Sequence, residues 1–185
     1  MAWHFRSGYA LFVLVIFRLF WGLVGGRWSR FSSFMYSPRA FVRYLRSERR
    51  VGDDFEVGHS PLGALSVFAL LTILGLQVAS GLVADDTITN SGPWAKFVSE
   101  SASWNATHWH RGAGQWLILG LVALHFAAVS FYVLQRRQPL LRAMITGDKP
   151  ADADVSPSTD SVISRSLALA LLLLCIGGVA WLVTL

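Results

Sequence analysis

The sequence predicts an all-α membrane protein, a transmembrane four-helix bundle, on three observations. Hydrophobic residues make up 54% of the 185 and charged residues only 15%, where a soluble domain carries about 25% charged. The deficit comes from four apolar runs, Ser7–Gly26, Pro61–Ala84, Gly112–Leu134 and Leu167–Leu185, which hold one charge between them, Arg18. Each run is long enough to cross a hydrocarbon core that takes about 20 helical residues. The segments joining the runs alternate between basic and non-basic. Lipid leaves no solvent for backbone polar groups, so continuous apolar runs are helices rather than the alternating strands of a barrel.

Taken in order, the first run has no small-x-small cleavage site and ends in FWGLVGGRW, bulky and then basic, so it reads as a retained helix over about 7–26. SPRAFVRYLR, 37–46, puts Phe41, Val42 and Leu45 on one side and arginines on the other, the pattern of a short interfacial helix or of a solvated connector. In GHSPLG, Gly58 turns the chain, Ser60 caps and Pro61 takes the first helical position of a helix over about 61–84. A third helix covers about 109–134. Residues 151–165 read as a polar linker and 166–185 as a C-terminal transmembrane helix, with residues 1–150 forming one unit. Cys175 lies inside the last run and reads as a packing residue.

The net charge of +5 is explained by topology rather than by nucleic acid. Residues 27–58 hold arginines 27, 30, 39, 43, 46, 49 and 50 against four acids, and 135–165 hold Arg136, Arg137, Arg142, Lys149 and Arg165. The loop 85–111 has only Lys96 and Arg111 with three acids. The positive-inside rule places the two basic segments in the cytoplasm and 85–111 outside, with membrane lipid, including anionic lipid, as a partner. It also places the N-terminus outside.

Histidines carry the chemistry: 4, 59, 108, 110 and 125. His125, thirteen residues into an uncharged run, is expensive in lipid and needs a partner. It reads as a metal or haem ligand, as a buried neutral imidazole bonded to a carbonyl, or as a proton relay. At ~1.5 Å and ~100° per residue, His110 and His125 are roughly 22 Å apart and within about 60° of one direction. By the same arithmetic His4 and Arg18 are roughly 21 Å apart and about 40° out of phase. Two levels result: an outer one where His4 and His110 can grip one iron, and an inner one with His125 and Arg18, the latter placed to balance propionates. Trp21, Trp28, Trp94, Trp104 and Trp109 fall near the interfaces as an aromatic belt.

The text around these residues resembles the bacterial cytochrome b561 family, which includes cytochrome b subunits of nickel–iron hydrogenases. The resembling pieces are WHFRSGY (3–9), FRLFWGLVGGRWSRF (17–31), GHSPLGA (58–64), GLVADD (81–86), LVALHFAA (121–128) and LLRAMITGDK (140–149), in order along nearly the whole chain. The resemblance implies a bundle of four core helices holding two b-type haems, one per leaflet, each between two histidines. Carried over, His4 and His110 ligate the outer haem and His125 is one ligand of the inner haem. The family's first helix, with a histidine followed by tryptophan, has no counterpart here. That predicts a natural chain with one further upstream helix, and leaves one complete ligand pair visible. The His110–His125 spacing is one residue longer than usual, which leaves His108 as an alternative ligand or implies a local helix bulge. His59 matches a position where Ser60 replaces the family's Asn. It reads as a capping residue, a propionate or quinone contact, or a substitute inner ligand.

The function implied is transmembrane electron transfer by haem b, between the quinone/quinol pool and an extracytoplasmic c-type cytochrome or hydrogenase-like partner, in the bacterial inner (cytoplasmic) membrane. The chain then serves as an electron-transfer protein or membrane subunit of an oxidoreductase rather than as a stand-alone enzyme, and no nucleophile or acid–base constellation is visible. The rival reading is a haem-free membrane anchor or assembly subunit of a redox complex. A transporter using His125 lacks a broken-helix pair or a second buried acid.

Overall fold

The computed structural model describes residues 1–46, 48, 58–135, 137, 140–147 and 161–185. Arg49, Arg50, Arg136, Lys149 and the linker stretch 151–160 lie outside the described residues. Seven α-helices are described: α1 (Ala2–Val24), α2 (Pro38–Leu45), α3 (Pro61–Val83), α4 (Glu100–Arg111), α5 (Ala113–Leu134), α6 (Leu140–Thr146) and α7 (Val162–Leu182). Among the described residues there is no strand, and one isolated bridge joins Asp85 to Ser91.

Four helical stretches are long and apolar enough to cross a membrane: α1, α3, α4 with α5, and α7. Their outward faces carry Leu14, Leu76, Leu124 and Leu174, from 49% to 73% exposed. Such a surface would drive aggregation in water, whereas lipid tails are as apolar as leucine and leave it at no cost. Packing runs from α7 to α1, from α1 to α3, and from α3 to α4 and α5. Val15, Ile73, Leu82, Cys175 and Val179 are buried along these seams, so Cys175 is a packing thiol.

Serines begin the helices where the sequence marks them. The Ser60 hydroxyl accepts from Gly63 N at 3.2 Å with Pro61 following, and Ser37 does the same for Ala40 N ahead of Pro38. Each satisfies one of the helix-end donors. α2 thus forms within 37–46, and a hydrogen bond between the Tyr44 and Tyr132 hydroxyls, 2.9 Å, ties it to the end of α5.

Helix limits differ from the apolar runs in three places. α1 begins at Ala2 rather than about 7, because the backbone ladder continues through the polar Trp3–Arg6 turn. The third apolar run is preceded by a separate helix, α4, and the two meet at Gly112 with φ −103° and ψ −112°. That break lies between His110 and His125. α7 begins at Val162 instead of 166, since Ser161 and Ser164 form a reciprocal capping box.

The loop from 84 to 99 folds back over the end of α3. Gly92 N donates to the Ala84 carbonyl and Trp94 N to the Leu82 carbonyl, so carbonyls a helix end leaves open are satisfied. A Cβ on Gly92 would stand 2.3 Å from the Leu82 oxygen, which restricts that position to glycine. The Asp86 carboxylate accepts from the amides of Ile88, Thr89 and Asn90 and from the Asn90 side chain. These bonds, first among them those from Asn90, hold its pKa well below the usual carboxylate range. Trp94 Nε1 and Lys96 Nζ then donate to the carbonyls of Leu182 and Leu185, closing the loop onto the end of α7.

Candidate haem site

α4 is set against the end of α3 by one polar face. Ser103, buried, donates to the Val83 carbonyl at 2.8 Å; Thr107 Oγ1 accepts from Asp85 N at 2.9 Å and donates within 3.1 Å of the Asp85 carbonyl. Spacings of four and three residues put Ser103, Thr107 and His110 on the same side. The next turn therefore delivers His110 to α3, where its Nδ1 lies 2.9 Å from the Gln77 carbonyl and 3.3 Å from Ser80 Oγ. A carbonyl oxygen only accepts, so Nδ1 carries the proton and Nε2 keeps its lone pair. This is the arrangement that orients a metal-bound histidine: one ring nitrogen held by the protein, the other open to the metal.

His4, in the first turn of α1, faces that ring. The His4 and His110 centroids are 5.8 Å apart and the rings stand at 87°. A cavity of about 250 Å³ opens beside them, lined among others by Phe5, Gly8, Phe12, Gln77 and Gly81. A Cβ on Gly8 would meet nothing within 4 Å, while one on Gly81 would stand 2.8 Å from His110 Cε1. Metal–imidazole bonds of about 2 Å hold two ring centroids roughly 6 Å apart across one ion. The pair, the fixed tautomer of His110 and the glycine-bordered apolar cavity fit a bis-histidine haem.

The remaining candidates lie in other surroundings. His108 is exposed, its ring 4.9 Å from Trp104, in a surface cleft with Thr107 and Arg111, and it does not line the cavity beside His4. His125 is half-buried on α5, with Nδ1 3.4 Å from Ser66 Oγ of α3. Arg18 donates to the Ser29 carbonyl at 3.2 Å and lies 4.7 Å over the Phe31 ring, which itself fills the space beside Gly22. His59 stacks on buried Phe34 at 4.5 Å, and its carbonyl accepts from the Tyr36 hydroxyl. These three belong to the arginine-bearing end of the bundle, whereas His4 and His110 belong to the end covered by the 84–99 loop.

Gln77, Ser80 and Gly81 were not singled out by sequence reasoning. The available signal was Gln77, the sole amide side chain in the run Pro61–Ala84, since a strongly polar group in a spanning helix must find a partner.

Fold and site together define a multi-pass helical membrane protein with a paired-imidazole centre near one membrane face. Residues 1–147 match the family described as prokaryotic cytochrome b561. The chain belongs to that family, whose members are haem-binding, b-type electron-transport cytochromes. It is 26% identical over 162 residues to a probable Ni/Fe-hydrogenase B-type cytochrome subunit of Rhizobium leguminosarum bv. viciae, covering 79% of this chain and 66% of that one. A protein of the same name from Bradyrhizobium diazoefficiens is 25% identical over 162 residues, covering 79% and 64%. The chain thus spans about two thirds of the length of these relatives. No solved structure matches it.

Proposed function

We propose that the protein carries electrons across the bacterial inner membrane, between the quinone/quinol pool and an extracytoplasmic redox partner, a hydrogenase-like protein or a c-type cytochrome. The observation that supports this most directly is the His4–His110 pair, 5.8 Å between centroids. The hydrogenase-subunit names of the two relatives support the partner class. Haem held by this pair supplies one-electron chemistry at a potential set by ligands, burial and nearby charge.

The chain's own residues do the rest. His4 and His110 hold the outer haem; Gly8 and Gly81 leave room beside them; Phe5 and Phe12 line the apolar side of the cavity. His125 is the ligand from this chain to an inner haem, with Arg18 as a propionate counter-charge and His59 as a propionate or quinone contact or its second ligand. Two haems then give one relay point per leaflet, in a unit of residues 1–150 against which α7 packs. The arginine-rich segments face the cytoplasm and the 84–99 loop forms the outer docking face.

The test is a reduced-minus-oxidised absorption spectrum of the purified protein with haem quantified per chain. His4→Ala or His110→Ala is expected to abolish the outer haem, and His125→Ala to leave it intact. Retention of full haem content by all three variants would sink the ligand assignment. Protein purified without any haem would favour the anchor or assembly reading.

A further inference from the structure

Gln77 and His110 are bonded to each other twice. The imidazole Nδ1–H donates to the Gln77 main-chain carbonyl at 2.9 Å, and the Gln77 side-chain Nε2–H donates to the His110 main-chain carbonyl at 2.7 Å. Each residue uses a side-chain group on the other's backbone, so α3 and the last turn of α4 are clamped from both sides. The amide can take only one orientation here, because the reverse would set two oxygens against each other. Its Oε1 is enclosed with no hydrogen-bond partner, as is Trp109 Nε1. The Nε2 bond to His110 is therefore what fixes the side chain. Both enclosed atoms crowd Gly114: a Cβ there would stand 2.3 Å from Gln77 Oε1 and 2.7 Å from Trp109 Nε1.

We propose that Gln77 is a positioning residue for the outer haem site, holding His110 in register and in the tautomer that presents Nε2. This rests on the reading of His110 as a haem ligand. A ligand histidine whose other nitrogen donates to a fixed acceptor is more basic and better oriented, and loss of such outer partners typically weakens metal binding 10–100-fold. Without the Nε2 bond the end of α4 is free to shift, and the Nδ1–carbonyl bond loosens with it. A less basic imidazole stabilises oxidised iron less, so the midpoint potential moves upward.

The experiment compares full-length wild type, Gln77→Met, Gly114→Ala, Leu76→Ala and His110→Ala for haem retention, redox potential and the low-temperature electron paramagnetic resonance signal of the oxidised form. Methionine keeps the length and drops the donor. Alanine at 114 leaves Gln77 in the sequence but pushes its amide aside. Leu76 is the adjacent α3 residue, 49% exposed toward lipid. Both Gln77→Met and Gly114→Ala are expected to weaken outer-haem retention about tenfold or more, with an upward potential and a shifted resonance signal in the haem that remains. Leu76→Ala is expected to match wild type. If Gln77→Met yields no folded protein, Gly114→Ala carries the comparison. A wild-type potential and signal in Gly114→Ala or Gln77→Met overturns the proposal, as does an equal shift in Leu76→Ala. Full haem content, outer haem included, in His110→Ala instead overturns the ligand assignment beneath it, which keeps the two failures distinct.

Discussion

A Cβ on Gly81 would come within 2.8 Å of His110 Cε1 and 3.2 Å of its Nδ1. The imidazole has little freedom to yield, because Nδ1 is already bonded to the Gln77 carbonyl. Gly81→Ala is therefore expected to swing the ring out of line with His4 and cut outer-haem content by roughly tenfold or more, read as haem per purified chain. The same substitution at Gly120, where a Cβ meets nothing within 4 Å, is expected to leave haem content unchanged. The topology of the apolar runs put His4 and His110 at the same end of the bundle, and their rings lie 5.8 Å apart, whereas the period arithmetic from His110 to His125 crosses the break at Gly112. Neither could find Gly81 or Gln77 as the groups that seat the ring. Their part arises from how α4 meets α3, a contact that no periodicity within one segment encodes.

Among the elements, the 84–91 turn and the α3 start make separate predictions. The Asp86 pKa is lowered in the fold, so its bonds stabilise the turn at all pH values above the ordinary aspartate value of about 3.9 and are given up only as pH falls well below it. Amide exchange at Ile88, Thr89 and Asn90 is expected to stay slow from neutral pH to pH 4 and to quicken in Asp86→Ala at every pH. Ser60→Ala removes the α3 cap and is expected to cost about 1 kcal/mol, seen as a lower Tm in detergent. The Ser-Pro starts of α2 and α3 were legible because capping chemistry is local. The separate helix α4 was not: Glu100–Arg111 is polar and lies beyond the apolar run, so hydropathy gave no reason to mark it, and its stability comes from Ser103 and Thr107 bonding to the end of α3.

Across the whole molecule, topology places Ser32 and Ile88 at opposite membrane faces, both exposed. In a Cys175→Ala background, Ile88→Cys is expected to react with a membrane-impermeant maleimide in intact cells, and Ser32→Cys only after permeabilisation. Labelling in the reverse order would put the His4–His110 end of the bundle at the cytoplasmic face and overturn the proposed outer docking face. The spanning helices were readable at this scale because lipid imposes long uncharged stretches, while their order of packing depends on side-chain fit that composition does not carry. The His4–His110 pairing also has a bearing on biogenesis. His4 is made before α3 and α4, so His110 meets it only after those helices have been synthesised and α4 has docked on α3. On the proposed ligand assignment, a haem gripped by both histidines would be loaded only after that docking, so haem content would report on assembly of the later helices as well as on the two ligands.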